Sequence, residues 1–223
     1  MNGFKVTYLL AVLMIFFAHF GIAQENAIIP DLTNIVGGEG WNIANREAKV
    51  IKEDDQLSIY FKAQPGAGVA WLENIEFNNG IIEADIKGTD VIGRSFIGIA
   101  FRGVDEKTYD AVYFRPFNFM SDDSVRTGHS VQYISHPDYP WYRLREDHPE
   151  KYENPVSPAP DPNSFFHAKI IIEKPKISVY VNDAKEPCLV VEELANRNGG
   201  RIGLWMGNNS DGTFSNLKII PKK

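Results

Sequence analysis

Apolar and polar positions in this chain alternate in short runs, and turn-forming residues separate the runs. Such runs, rich in Val, Ile, Phe, Tyr and Trp and bounded by Gly, Asn, Asp or Pro, predict strands. They cover Ala48–Ile51, Leu57–Lys62, Gly68–Leu72, Gly80–Lys87, Ser95–Arg102, Tyr109–Pro116 and His129–Ser135. Phe165–Glu173, Ile177–Asn182, Cys188–Val191, Arg201–Gly207 and Phe214–Ile220 complete about a dozen. In Ile82-Glu83-Ala84-Asp85-Ile86 the apolar residues face one way and the carboxylates the other. Helical periodicity is nearly absent, with one turn foreseen between Val190 and Asn196. Many strands without a βαβ rhythm predict an antiparallel sandwich or barrel.

One segment breaks the rhythm. His136 to Asn163 holds seven Pro together with Tyr139, Trp141, Tyr142, Tyr152 and a cluster of charges. Loops of that length are uncommon in compact domains unless they are functional or disordered. Four aromatics are too many for a solvated linker, so the segment is expected to be ordered and packed over one face of the sheet.

The N-terminus has a different pattern. Lys5 precedes an apolar run from Val6 to Phe20, and Gly21-Ile22-Ala23 places small residues before Gln24. This is the layout of a cleaved secretory signal and is short for a spanning helix. The expectation is a signal peptide at residues 1–23 and one β-sandwich domain at 24–223. The product is expected to be exported to the periplasm or the exterior and to leave the membrane after cleavage.

Composition narrows the chemistry. The 223 residues carry 23 Lys+Arg against 29 Asp+Glu, a net charge of −6. Loss of Lys5 with the signal leaves 22 − 29 = −7. With no basic run, nucleic acid is not an expected partner. The single Cys excludes an intrachain disulfide and a Cys-rich zinc site. Cys188, flanked by Pro187 and Leu189, reads as a small core residue.

At this point particular stretches carry a resemblance. Gly80-Ile81-Ile82-Glu83-Ala84-Asp85-Ile86, Ser95-Phe96-Ile97-Gly98-Ile99-Ala100-Phe101-Arg102 and Tyr109-Asp110-Ala111-Val112-Tyr113-Phe114-Arg115-Pro116 are three of them. At the C-terminus, Gly200-Arg201-Ile202-Gly203-Leu204-Trp205 and Gly212-Thr213-Phe214-Ser215-Asn216-Leu217-Lys218-Ile219 are the others. Between about Trp41 and Ile220 the chain resembles the concanavalin A-like lectin/glucanase superfamily. It looks closest to the bacterial 3-keto-disaccharide hydrolase-like domains. The resemblance implies an all-β fold, a two-sheet antiparallel jelly roll with a concave face that handles glycans. The family mixes sugar binders with hydrolases, so the implied partner is carbohydrate and the implied chemistry stays open.

The candidate site residues follow. Glu83 and Asp85, two apart on a strand, lie roughly 6–7 Å from one another, close to glycosidase carboxyl spacings. The glucanases of this superfamily carry E-x-D-x-x-E on one strand; here Gly88 stands at the third acidic position. His136, with Glu153 or Asp138, is a second acid/base candidate, which makes Glu83, Asp85, His136 and Glu153 the catalytic set. Arg102 and Arg115 end neighbouring strands, where guanidinium forks read hydroxyls or a carboxylate. Asn118, freed by the turn at Pro116, and Gln132, sharing a face with His136, add planar amides. Trp141 is expected to fold back over the same face and stack on a sugar. No histidine metal site is expected, because the usual spacings are absent. Calcium is left open. Asn208-Asn209-Ser210-Asp211-Gly212 reads first as a hairpin turn with Gly212 at positive φ. Binding module, hydrolase and interaction domain all remain open readings.

Overall fold

The computed structural model describes residues 27–53 and 55–222; the proposed signal lies outside them. A short 3-10 turn, Leu32–Ile35, precedes fourteen strands. They are β1 (Trp41–Ala44), β2 (Ala48–Glu53), β3 (Gln56–Phe61), β4 (Gly68–Leu72), β5 (Asn79–Lys87), β6 (Ile97–Gly103) and β7 (Tyr109–Phe114). Then come β8 (Val131–His136), β9 (Glu153–Asn154), β10 (Phe166–Glu173), β11 (Lys176–Val181), β12 (Leu189–Glu192), β13 (Arg201–Met206) and β14 (Gly212–Lys222). Three short helices interrupt them: α1 (Pro116–Phe119), α2 (Ser124–Thr127) and α3 (Trp141–Asp147). Among the described residues no helix is long and apolar enough to cross a membrane.

The strands make two antiparallel seven-stranded sheets. The first runs β1-β4-β13-β6-β7-β8-β9 and the second β12-β11-β10-β5-β14-β3-β2. β5 and β10 bury every second residue, so Ile82, Ala84, Ile86, Phe166, Ala168 and Ile170 enter the core. Their intervening polar residues stand on the second sheet's outer face, as one solvated face requires. The first sheet is different. β4, β6 and β7 are buried along their whole length, which is why their sequences read as continuous apolar runs. Phe114 meets Phe166 across the core, with ring centroids 4.9 Å apart. Tyr113 points the opposite way and packs on Trp205, 4.9 Å between centroids. Trp71 occupies that outer face too. A Cβ at Gly103 or Gly203 would lie 2.4 Å or 2.8 Å from its ring, so the two glycines let the indole lie on the sheet.

Three local expectations are corrected. The foreseen turn within Val190–Asn196 is not a helix: its first part belongs to β12, which pairs with β11. The segment from His136 to Asn163 is not irregular throughout, because it contains α3 and β9. Asn208–Gly212 is not a hairpin, because β13 and β14 belong to different sheets. Asn209 takes the left-handed conformation there at φ 54°, and Gly212 starts β14.

Candidate functional site on the outer face of the first sheet

Strand parity builds this face. Val69, Trp205, Gly98, Tyr113, Gln132 and Glu153 form one cross-strand row through successive register pairs from β4 to β9. A second pair, Tyr109 and His136, shares the face at the other end of β7 and β8. Trp205 Nε1 donates to the Tyr109 hydroxyl at 3.0 Å, and the His136 ring tilts against Tyr109 with centroids 5.2 Å apart. The turn between β6 and β7 brings Glu106 and Lys107 over them. Together with Asn45 and Val69 these residues line a cleft of about 430 Å³. Its far wall is fixed locally. Asn45, at φ 52°, donates from Nδ2 to the carbonyls of Pro65 and Ala67. Arg46 beside it donates to the Gly66 and Met206 carbonyls.

The rear of the cleft is braced from the interior. Arg197 donates to Asp110 Oδ1 at 2.6 Å, to Ser135 Oγ at 3.0 Å and to the His136 carbonyl at 2.5 Å. Burial, and then the Arg197 charge, hold the His136 imidazole below its ordinary range. His136 therefore enters the cleft as a neutral ring near pH 7, able to accept as well as donate.

The row's other end is a charged cluster. Arg145 on α3 grips Glu153 with a guanidinium fork, Nε at 2.9 Å and 3.1 Å and a terminal nitrogen at 2.9 Å. His129 Nδ1 lies 2.9 Å from Glu153 Oε2 without hydrogen-bonding alignment, and Arg115 approaches within 3.7 Å. Arg115 also donates to the Tyr113 hydroxyl, Gln132 Oε1 and the His129 carbonyl. The Tyr113 hydroxyl donates to Gln132 Oε1 at 2.7 Å. Burial pushes the Tyr113 phenol up and the His129 ring down. Trp141, half exposed, stands at the edge of this assembly with the Arg145 guanidinium 5.1 Å from its ring.

The structure thus brings Arg115, Gln132, Glu153 and Trp141 together, with Arg145 as the link. His136 shares their face but not their cluster: it pairs four residues along β8 from Gln132, about 13 Å away at strand spacing. His136 and Glu153 therefore do not meet as an acid/base pair. The Glu153 oxygens are occupied by Arg145.

Glu83 and Asp85 stand elsewhere. They occupy the outer face of the second sheet, because they point away from Ile82, Ala84 and Ile86, which fill the core between the sheets. Glu83 pairs with Lys218 at 3.2 Å; Asp85 binds His167 Nδ1 at 2.8 Å and Asn216 Nδ2 at 2.6 Å. The expectation that all four catalytic candidates share one face is corrected on that ground.

Arg102 is wholly enclosed. A bulge in β6 opposite β13 puts it at φ 50° and turns its guanidinium inward to Glu193, Asp110 and the Asn78 carbonyl. It is a core ion-pair residue that a ligand does not reach. Asn118 is also internal: its Nδ2 donates to the His129 carbonyl at 3.2 Å and its Oδ1 accepts from Arg126.

Sequence reasoning missed Tyr109, Lys107, His129 and Arg145. For Arg145 a signal existed, the Trp141-x-x-x-Arg145 spacing, but it acquires meaning only once the segment is known to be helical. Among the described residues no group of three or more His, Cys, Asp or Glu is placed to hold a metal ion. The oxygens of Asn208–Gly212 serve the fold instead. Asn208 Oδ1 accepts from Gly66 N, Ser210 Oγ from Phe96 N and Asp211 Oδ2 from the Tyr60 hydroxyl. That segment does not fit a calcium loop.

No protein-family model and no curated protein sequence matches the chain. Solved structures do. The carbohydrate-binding module CBM66 from Bacillus subtilis superimposes with a TM-score of 0.53 at 14% identity, covering 81% of this chain and 95% of its own. The VIP36 exoplasmic/lumenal domain, in its Ca2+/Man3GlcNAc-bound form, gives 0.55 at 11% identity over 90% and 89%. A Bacillus licheniformis beta-glucanase gives 0.52 at 14% identity over 82% and 92%. At these identities the likeness is one of fold, and the fold is the concanavalin A-like jelly roll.

Proposed function

Proceeding from a concanavalin A-like jelly roll, we propose that this chain is an exported carbohydrate-binding protein whose site is the outer face of the first sheet. The observation that carries this reading is the cleft on that face. It combines the His136 ring, backed by the buried Tyr109, with the amide of Asn45 and the charged ends of Glu106 and Lys107. Rings cover the apolar faces of a sugar, and planar or charged polar groups read its hydroxyls. The similar folds include, by their own descriptions, a carbohydrate-binding module and a sugar-bound lumenal domain, which supports the same reading.

A glycan array with the purified protein tests it. Binding that weakens in His136→Gln and Tyr109→Ala, with the fold intact by circular dichroism, supports the cleft. An array without bound glycan refutes it. Hydrolysis is the second reading, favoured by a neutral His136 that lines the same cleft as a carboxylate, Glu106. Reducing-sugar release from the bound glycans, lost in Glu106→Gln, decides between them. Export is proposed from the Lys5 and Val6–Phe20 pattern. N-terminal sequencing of exported material is expected to begin at or near Gln24.

A further inference from the structure

The row of residues that crosses the face from the cleft ends on an assembly with more cation than anion. Arg115 and Arg145 face a single carboxylate, Glu153, which leaves a positive charge in surplus. Their other neighbours are neutral or cationic: Tyr113, Gln132 and His129 within the assembly, with Arg126 reaching Asn118 beside it. The nearest acids of α3 are turned elsewhere: Asp147 pairs with Arg143, and Glu146 is exposed. A second observation concerns hydrogen bonds. Gln132 is fully buried, its Oε1 accepts from two donors, and its Nε2 has no acceptor. An unpaired donor in such surroundings is costly unless an acceptor reaches it. The assembly is not sealed. The side chains of His129 and Arg145 are 23% and 31% exposed, and Trp141 stands at their edge as an exposed ring.

We propose that this end of the face is a subsite for an acidic sugar, a uronate or a sulfated residue, whose anionic oxygens meet the guanidinium side and whose ring stacks on Trp141. The inference rests on the reading that the face binds carbohydrate. A guanidinium binds carboxylate and sulfate oxygens by charge-assisted hydrogen bonds, and an aromatic ring beside it accepts the sugar's apolar face. The protein's overall negative charge works against indiscriminate capture of polyanions. Selection of an acidic sugar therefore depends on this local surplus. In acid the His129 ring adds a third cation and raises the surplus to two positive charges, so anion affinity is expected to rise as pH falls.

The test is an array carrying neutral, uronate-containing and sulfated glycans, probed with the wild-type protein and with Arg145→Gln. Titrations of the tightest binder and its neutralised counterpart, methyl-esterified or desulfated, follow. The expected result is that bound glycans carry an acid and that neutralising it weakens binding about tenfold or more at low salt. Arg145→Gln is expected to remove that preference while retaining native circular dichroism. Should Arg145→Gln fail to fold, His129→Gln replaces it, with a smaller loss of preference and a flattened pH dependence expected. Which acid is bound separates uronate from sulfate. Binding of neutral glycans alone, or an acid preference untouched in the folded variant, overturns the subsite and leaves sugar binding standing. If no glycan of any kind is bound, the underlying reading fails and the subsite fails with it.

Discussion

Trp141 and Arg102 are opposite cases of one side chain's place deciding its role. Trp141 is half exposed and touches its neighbours through Arg145 and Tyr142. Trp141→Ala is expected to weaken glycan binding by roughly 1–3 kcal/mol, the scale of a binding hot spot, and to leave the thermal midpoint nearly unchanged. Calorimetric titration beside a melting curve checks both. Arg102 is wholly buried against Glu193 and Asp110. Arg102→Met leaves Asp110 to Arg197 and Glu193 to Lys174, and is expected to cost about 3 kcal/mol, the lower end of the scale for breaking a buried ion pair. The double variant with Glu193→Gln should recover part of that in urea unfolding. Asp85 and His167 are partly exposed and matter through pH. Burial raises the Asp85 pKa, but the hydrogen bonds from His167 and Asn216 outweigh it and hold the carboxyl low. The hydrogen bond to Asp85 holds His167 high. The raised histidine stabilises the fold below its unfolded pKa, and that is lost as pH rises through the folded value. The lowered aspartate stabilises above its unfolded pKa, and that is lost as pH falls through the folded value. The pair therefore contributes in mild acid. His167→Gln is expected to lose more stability near about pH 5 than near about pH 8, measured by denaturant melts at each.

Among the elements, α3 is the one on which site and stability meet. Its seven residues present Trp141 and Arg145 to the assembly and sink Leu144, 1% exposed, into the core. An isolated helix of that length does not persist in water, so the burial of Leu144 and the Arg145–Glu153 fork hold α3 in place. Leu144→Ala is expected to cost about 2–5 kcal/mol and to weaken glycan binding as well. Trp141→Ala is expected to weaken binding alone. Measuring both variants by melting and titration separates docking of the helix from contact by the ring. The strands were legible because period-two alternation is visible wherever one face is solvated, as in β5 and β10. α3 was not legible, since Pro140 and its aromatics read as loop and seven residues are too few to show a helical period.

At the scale of the whole molecule, Cys188 is a reporter of the joined sheets. Its thiol is pushed up to about 12 by burial. Its amide bonds Val179 within the second sheet, and its carbonyl accepts from Asn154 of the first sheet at 2.7 Å. In the native protein it is expected to react slowly with a thiol reagent, with a burst of labelling across the unfolding transition. Rapid native labelling would show that this edge of the sandwich is open.

What the sequence by itself determined, beside the resemblance that implied two sheets, was the class: an all-β sandwich or barrel with an ordered aromatic segment from His136. Local alternation and turn residues carry that information without reference to distant partners. It also nominated Arg115, Gln132, Glu153 and Trp141, which the fold brings to one place. It did not determine which candidates share a face. Glu83 and Asp85 look like a glucanase pair in one dimension, yet β5 lies in the second sheet and turns them to the far side. Arg102 reads as a strand-end ligand, yet a bulge opposite β13 turns it into the core. Sheet membership, register and bulges depend on contacts between residues far apart in the chain, and only the tertiary structure supplies those.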